Sequence, residues 1–255
     1  MKNISVLLFL LITLALNAQN NKTSGLNARQ FHKYWKVESE SPDYKVTFLG
    51  DTVEILSPKG LTLWRKEKMS GKVTIEYDAC VVVEVEGDRL SDLNCFWMAS
   101  DPQYPDNIWK REKWRSGIFL NCYSLQLYYM GYGGNHNSTT RFRRYDGNEA
   151  AITNAKARPA ILKEYTDADH LLEANKWYHI KITNENNRVS YYINGVRLVD
   201  FRDADPLTEG WFGFRTTLSR TRIANFHYEC SPQEISEIPL HWIGDTPQQD
   251  RTVSL

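Results

Sequence analysis

The chain has 255 residues, of which 31 are basic and 31 acidic, so its formal net charge is zero. A neutral chain has no overall field to hold nucleic acid or an anionic membrane, and any preference for an anionic ligand must be local. The four cysteines lie far apart without a C-x-x-C pair, which argues against a zinc site. They are Cys80, Cys95, Cys122 and Cys230.

The amino terminus predicts export. Met1-Lys2, the apolar run from Ile4 to Leu16 and the small residue Ala18 form the pattern of a secretory signal peptide, whose apolar core is too short to span a bilayer. We expect residues 1–18 to be removed and residues 19–255 to form one periplasmic or secreted domain, without membrane insertion. Export permits disulfides, but the cysteines can equally be buried apolar side chains, so both alternatives remain open.

Alternation of apolar and polar residues predicts β-strands along most of the chain. The first two, at residues 44–48 and 52–56, flank Gly50-Asp51 as a hairpin. Further strands are predicted at residues 61–64, 72–85, 96–98, 116–130 and 140–145. Residues 101–115 lack a strand period and predict a long loop, of the kind that often has a function.

The last third of the chain predicts a β-meander. Strands at residues 177–183 and 188–193 are separated by Asn186-Asn187, and Asn194-Gly195 supplies a second tight turn. With the Gly-Phe-Arg strand that reaches Arg215 and a further strand ending in Asn225-Phe226, these segments resemble the closing strands of a concanavalin-A-like β-sandwich. This resemblance implies an all-β, jelly-roll, single-domain fold that faces a carbohydrate.

The whole chain is also similar to a group of exported Bacteroidota proteins that share this sandwich and are encoded within polysaccharide-utilisation systems. The segments that carry the similarity are 116–120, 126–129, 143–146 and 213–217. The similarity implies a carbohydrate-active domain acting on an algal or plant uronate polysaccharide such as ulvan or pectin.

The densest concentration of possible chemistry lies between residues 126 and 145. Alternation places Gln126 and Tyr128 on one face of a strand, and Arg141, Arg143 and Tyr145 on a common face of the next. The hairpin between the two strands is expected to bring its side chains into one cleft. The turn residues in that cleft are Tyr132, Asn135 and His136, and Arg215 is expected to join them from its own strand.

These residue types fit β-elimination on a uronic acid, which needs a group to neutralise the carboxylate, a base and an acid. Arg215 and Arg143 are predicted to hold the carboxylate, because a guanidinium grips both oxygens. His136 or Tyr132 is the predicted base, and Tyr145 or Tyr128 the predicted acid. Substrate binding is also predicted for Arg141, Gln126, Asn135, Trp109 and Trp114. Sandwich-fold polysaccharide lyases are similar in combining Tyr, His, Arg and Gln.

The sequence therefore predicts a polysaccharide or oligosaccharide lyase that makes an unsaturated uronate, or a dehydratase acting on oligosaccharide ends. Glycoside hydrolysis is one alternative, although Glu76-Tyr-Asp78 is followed by Val81 where the third acid of a Glu-x-Asp-x-x-Glu motif belongs. A non-catalytic carbohydrate-binding protein is the other, since it would use the same side chains.

No metal or cofactor is expected, because Asp146 and Glu149 are too few to bind calcium. The expected partner is a uronate-containing polysaccharide or oligosaccharide, bound by a monomer.

Overall fold

A computed structural model of the protein describes residues 24–232, and the predicted signal peptide lies outside the described residues. Antiparallel strands dominate this part of the chain. Their bounds are β1 Trp35–Ser39, β2 Lys45–Leu49, β3 Thr52–Arg65, β4 Met69–Ser70, β5 Lys72–Val82, β6 Leu93–Ser100, β7 Gln126–Gly133, β8 Thr139–Asp146, β9 Lys163–Tyr165, β10 Trp177–Glu185, β11 Arg188–Ile193, β12 Val196–Arg202 and β13 Glu209–Ser231.

The helices in residues 24–232 are single turns. The α-helical turns are Phe31–Tyr34, Glu112–Arg115, Gly134–Asn137 and Ala150–Thr153, and the 3-10 turns are Ile108–Arg111, Leu120–Ser124, Ala155–Ala157 and Ala168–His170. None of these turns, within the described range, has the length and apolar character needed to cross a bilayer.

The strands pair in the order β12-β11-β10-β5-β13-β6-β7-β8-β9, with β3 also paired to β13. Strand β13 is 23 residues long and pairs first with β6 and then with β5. Its register against β3 shifts between Thr217 and Ser219, where a β-bulge places Leu218 in the left-handed region with a φ of 50°. One continuous strand thus belongs to both halves of the sheet.

The two halves of the sheet pack face to face around an aromatic core, which confirms the predicted all-β sandwich. Trp97 on β6 stacks on Tyr191 of β11 at a centroid distance of 6.3 Å, although these strands are far apart in the pairing order. Phe142 on β8 lies 5.9 Å from the same tryptophan ring. Burial of such rings is the largest favourable contribution to the stability of a domain of this kind.

A second apolar cluster covers the opposite face of β6, β7 and β8. The segment 101–125, which we call the covering segment, packs Ile108, Cys122 and Leu125 against Phe96 and Leu127. The predicted loop at 101–115 is confirmed as a region without named strands, whereas the strand predicted from residue 116 is wrong up to residue 125. Positive φ angles of 50° at Ser116 and 68° at Gly117 turn the chain there, and 3-10 turns follow.

The predicted hairpins at Gly50-Asp51, Asn186-Asn187 and Asn194-Gly195 are confirmed by the pairing of their flanking strands. All four cysteines are free thiols, and Cys80, Cys95 and Cys122 are buried. The sequence left open disulfides or buried apolar side chains, and the structure shows unpaired cysteines, three of them buried.

A buried ion pair joins the covering segment to β1. Arg115, with no exposed surface, donates from Nη2 to Glu38 Oε2 at 2.9 Å and to the carbonyl oxygen of Ile108 at 2.7 Å. Burial raises the pKa of the Glu38 carboxyl, and Arg115 beside it offsets part of that shift. Within the covering segment, Arg111 pairs with the buried Asp101 at 2.7 Å.

Replacing Arg115 by Met should lower the free energy of unfolding by roughly 3–5 kcal/mol, because the Glu38 carboxylate stays buried without its partner. The measurement is the urea midpoint with an unchanged dependence on denaturant concentration. The double variant Glu38→Leu with Arg115→Met removes both charges and should recover most of the loss. A wild-type midpoint in the single variant would show that this pair does not anchor the segment.

Candidate functional site

Two rows of directly paired positions cross the sheet on the face under the covering segment. The first row runs through Thr62, Arg215, Asn94, Gly131, Arg141 and Glu164. The second row runs through Gly213, Phe96, Tyr129 and Arg143. Side chains of neighbouring strands at paired positions point to the same face, so the sheet register alone brings these residues together.

Six residues of these rows line a cavity of about 310 Å³: Asn94, Tyr129, Gly131, Arg141, Arg143 and Arg215. We call it the Arg–Tyr cavity after Arg143, Arg215, Tyr129 and Tyr145, which also lines it. Phe119 and Tyr123 of the covering segment form a wall of it. The volume is at the lower end of the range of small-molecule sites.

Gly131 leaves the space into which Tyr129 extends. A Cβ atom at residue 131 would lie 2.5 Å from the Tyr129 hydroxyl oxygen. The Tyr129 ring is packed 5.5 Å from Phe96 and 5.6 Å from Phe119, measured between centroids. The phenol is therefore held over the glycine, with its hydroxyl in the cavity.

Two guanidinium groups in the cavity form no ion pair with any described carboxylate. Arg215 is 2% exposed, donates to the Gly117 carbonyl oxygen at 2.5 Å, and lies over the Phe119 ring at 5.5 Å. Arg143 donates to the Pro159 carbonyl oxygen at 2.5 Å. Neither guanidinium has a described carboxylate within ion-pair distance, so both can attract an anion, although Glu38, which is paired with Arg115, also feels the charge of Arg215.

The third arginine in the cavity is already neutralised. Arg141 Nε lies 2.5 Å from Oε1 of Glu164, its paired residue on β9. Asp92, an acid of the cavity wall, is likewise occupied by Arg89 at 3.1 Å and Asn94 at 3.2 Å. Glu40 at the rim is exposed.

Burial raises the pKa of the Tyr129 phenol, and Arg215 and Arg143 offset part of that shift. Burial also raises the pKa of the fully buried Tyr145. Both phenols are therefore neutral hydrogen-bond donors in the free protein at neutral pH. The buried Tyr145 hydroxyl and Asn94 Oδ1 have no hydrogen-bond partner among the described residues, so each keeps an unused hydrogen-bonding group beside the cavity.

Five of the residues predicted for the site line this cavity together: Asn135, Arg141, Arg143, Tyr145 and Arg215. Their common location follows from the predicted alternation on β8 and from the Gly-Phe-Arg segment of β13.

Tyr128 and Tyr132 face the core between the two layers instead, which corrects the prediction of one shared cleft. The Tyr128 hydroxyl donates to Asp203 Oδ2 at 2.6 Å, and that of Tyr132 donates to the Leu171 carbonyl oxygen at 3.1 Å. The physical reason is register: Tyr129, not Tyr128, is paired with Arg143.

The other predicted residues lie elsewhere. His136 is exposed in a left-handed turn with φ of 60°, and Gln126 begins β7 opposite Asp146. Trp109 lines a separate cavity, and Trp114 is 44% exposed with Arg111 over its ring at 5.0 Å. The structure does not bring these four to the Arg–Tyr cavity, and the roles assigned to them stay predictions.

Sequence reasoning missed Tyr129, Asn94, Phe119 and Tyr123. The signal for Tyr129 was available in the hairpin register, because counting outward from the turn pairs it with Arg143. Asn94 required the pairing of β6 with β13, and Phe119 and Tyr123 required the path of the covering segment. No local sequence pattern encodes the pairing of β6 with β13 or the path of the covering segment.

The fold and cavity define a concanavalin-like β-sandwich with a basic, aromatic cavity on one sheet face. Residues 55–226 match the family described as Domain of unknown function (DUF6250), and the chain belongs to that family. No curated protein matches the sequence of this chain.

Several solved structures share the fold. A Bacillus subtilis protein of unknown function with a galectin-like fold has a TM-score of 0.65 and 15% identity, covering 84% of this chain and 97% of its own. The Ca²⁺- and mannose-bound exoplasmic/lumenal domain of VIP36 has a TM-score of 0.58 and 8% identity, covering 85% and 92%. The carbohydrate-binding module CBM66 of Bacillus subtilis has a TM-score of 0.50 and 18% identity, covering 76% and 94%. At these identities the likeness is one of fold.

Within residues 24–232, no three His, Cys, Asp or Glu side chains are grouped so that they could hold a metal ion.

Gly131→Ala should destabilise the protein by about 1–3 kcal/mol, because the added methyl group overlaps the packed Tyr129 ring. Gly134→Ala is the matched control: it lines the same cavity, but its added Cβ atom meets nothing nearer than 3.8 Å. The measurement is the free energy of unfolding of both variants in urea. Equal stability of the two would show that Tyr129 is not held over Gly131.

Proposed function

We propose that the protein binds a uronic acid residue of a glycan in the Arg–Tyr cavity and breaks its glycosidic bond by β-elimination, leaving an unsaturated uronate. The observation that carries the proposal is the pair Arg143 and Arg215, whose charges have no carboxylate partner and which lie beside two buried phenols. A carboxylate next to the acidic carbon would supply the missing anion, and neutralising it makes the adjacent proton easier to remove.

In this proposal Arg143 and Arg215 hold the carboxylate. Tyr129 takes the proton from the carbon next to the carboxylate once its own phenol is deprotonated. Burial raises the pKa of this phenol, and the two guanidinium groups offset part of that shift. The electron pair forms the carbon–carbon double bond, the bond to the leaving oxygen breaks, and the Tyr145 hydroxyl protonates that oxygen. Asn94 and Asn135 orient the sugar hydroxyls.

This assignment moves the base from His136 or Tyr132 to Tyr129. Tyr132 faces the core, and His136 does not line the cavity. Tyr145 keeps its predicted role as acid, and Arg143 and Arg215 keep theirs as the carboxylate clamp.

Fold neighbours support a carbohydrate ligand. One is a carbohydrate-binding module, and another is a lumenal domain in its mannose-bound form. Because fold does not determine function, this support is weaker than that of the cavity itself. Export to the periplasm or beyond, predicted from the amino terminus, is consistent with a polymeric substrate.

The same chemistry permits dehydration of a terminal uronate, in which the leaving oxygen is a hydroxyl group and leaves as water. Mass spectrometry distinguishes the two reactions, since dehydration removes water without shortening the oligosaccharide.

Binding without turnover is the second candidate function. The raised pKa values of Tyr129 and Tyr145 favour it, because both phenols are hydrogen-bond donors in the free protein. It predicts the same affinity for the uronate but no product.

Incubation with uronate oligosaccharides should raise the ultraviolet absorbance that a conjugated unsaturated acid produces. Arg143→Gln should lower kcat/KM by roughly 10- to 100-fold, the scale of a lost charged hydrogen bond. Arg141→Gln is the matched control and should lose less, because Glu164 already neutralises Arg141.

Turnover should survive EDTA, since guanidinium groups neutralise the substrate. Binding without absorbance would favour the second candidate.

The rate should rise with pH from about pH 6 to about pH 9, because the raised pKa of Tyr129 keeps its phenol protonated at neutral pH and the reaction needs the phenolate. Tyr129→Phe should lower turnover by about 10²-fold and abolish this pH dependence. His136→Ala should leave both unchanged. If His136→Ala loses the pH dependence while Tyr129→Phe keeps wild-type turnover and pH dependence, His136 is the base.

A further inference from the structure

A second cavity, of about 410 Å³, opens at the edge of β1, and we call it the Trp–Lys cavity after Trp109, Tyr44, Lys36 and Lys66. It shares no lining residue with the Arg–Tyr cavity. Its lining residues include no aspartate or glutamate, whereas cationic and aromatic side chains surround it. An anionic ligand with an apolar face complements such a lining.

The two lysines differ in how their charges are used. Lys66 donates to the backbone carbonyl oxygen of His32 and forms no ion pair with a described carboxylate, so its charge is uncompensated. Lys36 is paired with Glu112, and its Nζ atom lies 5.4 Å from the centroid of the Trp109 ring. Lys66 is therefore the group that can meet an anion, while Lys36 helps to fix the indole.

Trp109 is held in place by its other neighbours. Its ring makes an edge contact with Trp211 at 6.1 Å, and the Asn107 side chain accepts from its backbone N–H at 3.1 Å. The half-buried ring has one part in the second apolar cluster and one part lining the cavity. An indole fixed in this way can stack on a sugar ring through the C–H groups of the sugar when the Lys36 side chain, which lies over the ring, moves aside.

The two cavities lie at opposite ends of β1. Lys36 lines one and Glu40 lines the other, and four residues of extended chain separate them by about 13 Å. The covering segment contributes Trp109 to one cavity and Phe119 to the other. That distance is longer than one sugar ring, so a single uronate cannot fill both sites. A glycan of several residues that reaches both must cross the covering segment above the buried Glu38–Arg115 pair.

We propose that the Trp–Lys cavity is a second subsite, which binds a further uronate residue of the same glycan by stacking on Trp109 and by ion pairing with Lys66. This proposal rests on the proposed function in that it takes the same acidic glycan as ligand. It assigns the protein a preference for long oligosaccharides over short ones.

The test compares binding of di- and hexa-oligogalacturonide, and of ulvan oligosaccharides of matched length, by isothermal titration calorimetry. Trp109→Ala and Lys66→Gln should each weaken binding of the long oligosaccharide about tenfold and leave the short one unchanged. Tyr104→Ala is the matched control, because Tyr104 is an exposed aromatic residue of the same segment and lines neither cavity.

Fluorine NMR of the 5-fluorotryptophan-labelled protein reports directly whether the ligand contacts Trp109. A residue with only a structural role would show no ligand-induced shift of its resonance. The Trp109 resonance, assigned with Trp109→Phe, should shift on addition of the hexamer and not of the dimer. A shift that persists in the Arg143→Gln variant would support this subsite even if the proposed function fails. An unmoved Trp109 resonance, with hexamer binding still sensitive to Arg143→Gln, would overturn the subsite and leave the proposed function standing. If the Trp109 resonance does not shift and hexamer binding is insensitive to Arg143→Gln, both the subsite and the proposed function are overturned.

Discussion

The Glu38–Arg115 ion pair determines where the covering segment lies, and the candidate site depends on that position. The pair is almost fully buried and joins an edge strand to a segment whose own structure is only single turns. Two residues beyond Arg115, the Gly117 carbonyl oxygen accepts a hydrogen bond from Arg215, and two further on Phe119 lies under the same guanidinium. An ion pair taken out of water contributes little net stability, but it is costly to break, which makes it a strong determinant of position.

Strands β6, β7 and β8 contribute one face to the core between the two layers and the other face to the Arg–Tyr cavity. On β7, Tyr128, Met130 and Tyr132 belong to the core between the layers, while Tyr129 and Gly131 belong to the cavity. Because strand side chains alternate with a period of two, a shift by one residue would exchange the two sets. The inner aromatic contacts therefore hold Tyr129 and its paired Arg143 on the outside.

A neutral chain can still present a local positive charge, and the ion-pair pattern explains how. Most arginines of the sheet faces lie beside acids: Arg220 and Arg222 with Asp88, Glu54 and Glu84, Arg144 with Asp203, and Arg188 with Asp200. Arg143 and Arg215 instead bond to carbonyl oxygens within a partly enclosed cavity, where a charge is screened less than at the open surface.

Much of the fold could be predicted from sequence, because alternation and turn residues are local signals. The hairpin turns and the common face of Arg141, Arg143 and Tyr145 are examples. The site could be predicted only in part. Choosing between Tyr128 and Tyr129 needed the register across the hairpin. Residues 116–125 look like a strand because they are rich in apolar residues, but they form turns that bury only Cys122, Tyr123 and Leu125 in the second apolar cluster. Contacts across the covering segment depend on long-range packing that no local pattern records.

Recognition of a carboxylate by Arg143 and Arg215 can be tested by reducing the carboxyl groups of the glycan. Affinity for a uronate oligosaccharide should exceed that for its carboxyl-reduced counterpart by roughly 10- to 100-fold, and the Arg143→Gln variant should lose most of this preference. The preference should also shrink as salt is added. Equal affinity of the wild-type protein for the acidic and the reduced oligosaccharide would show that the two arginines do not recognise a carboxylate.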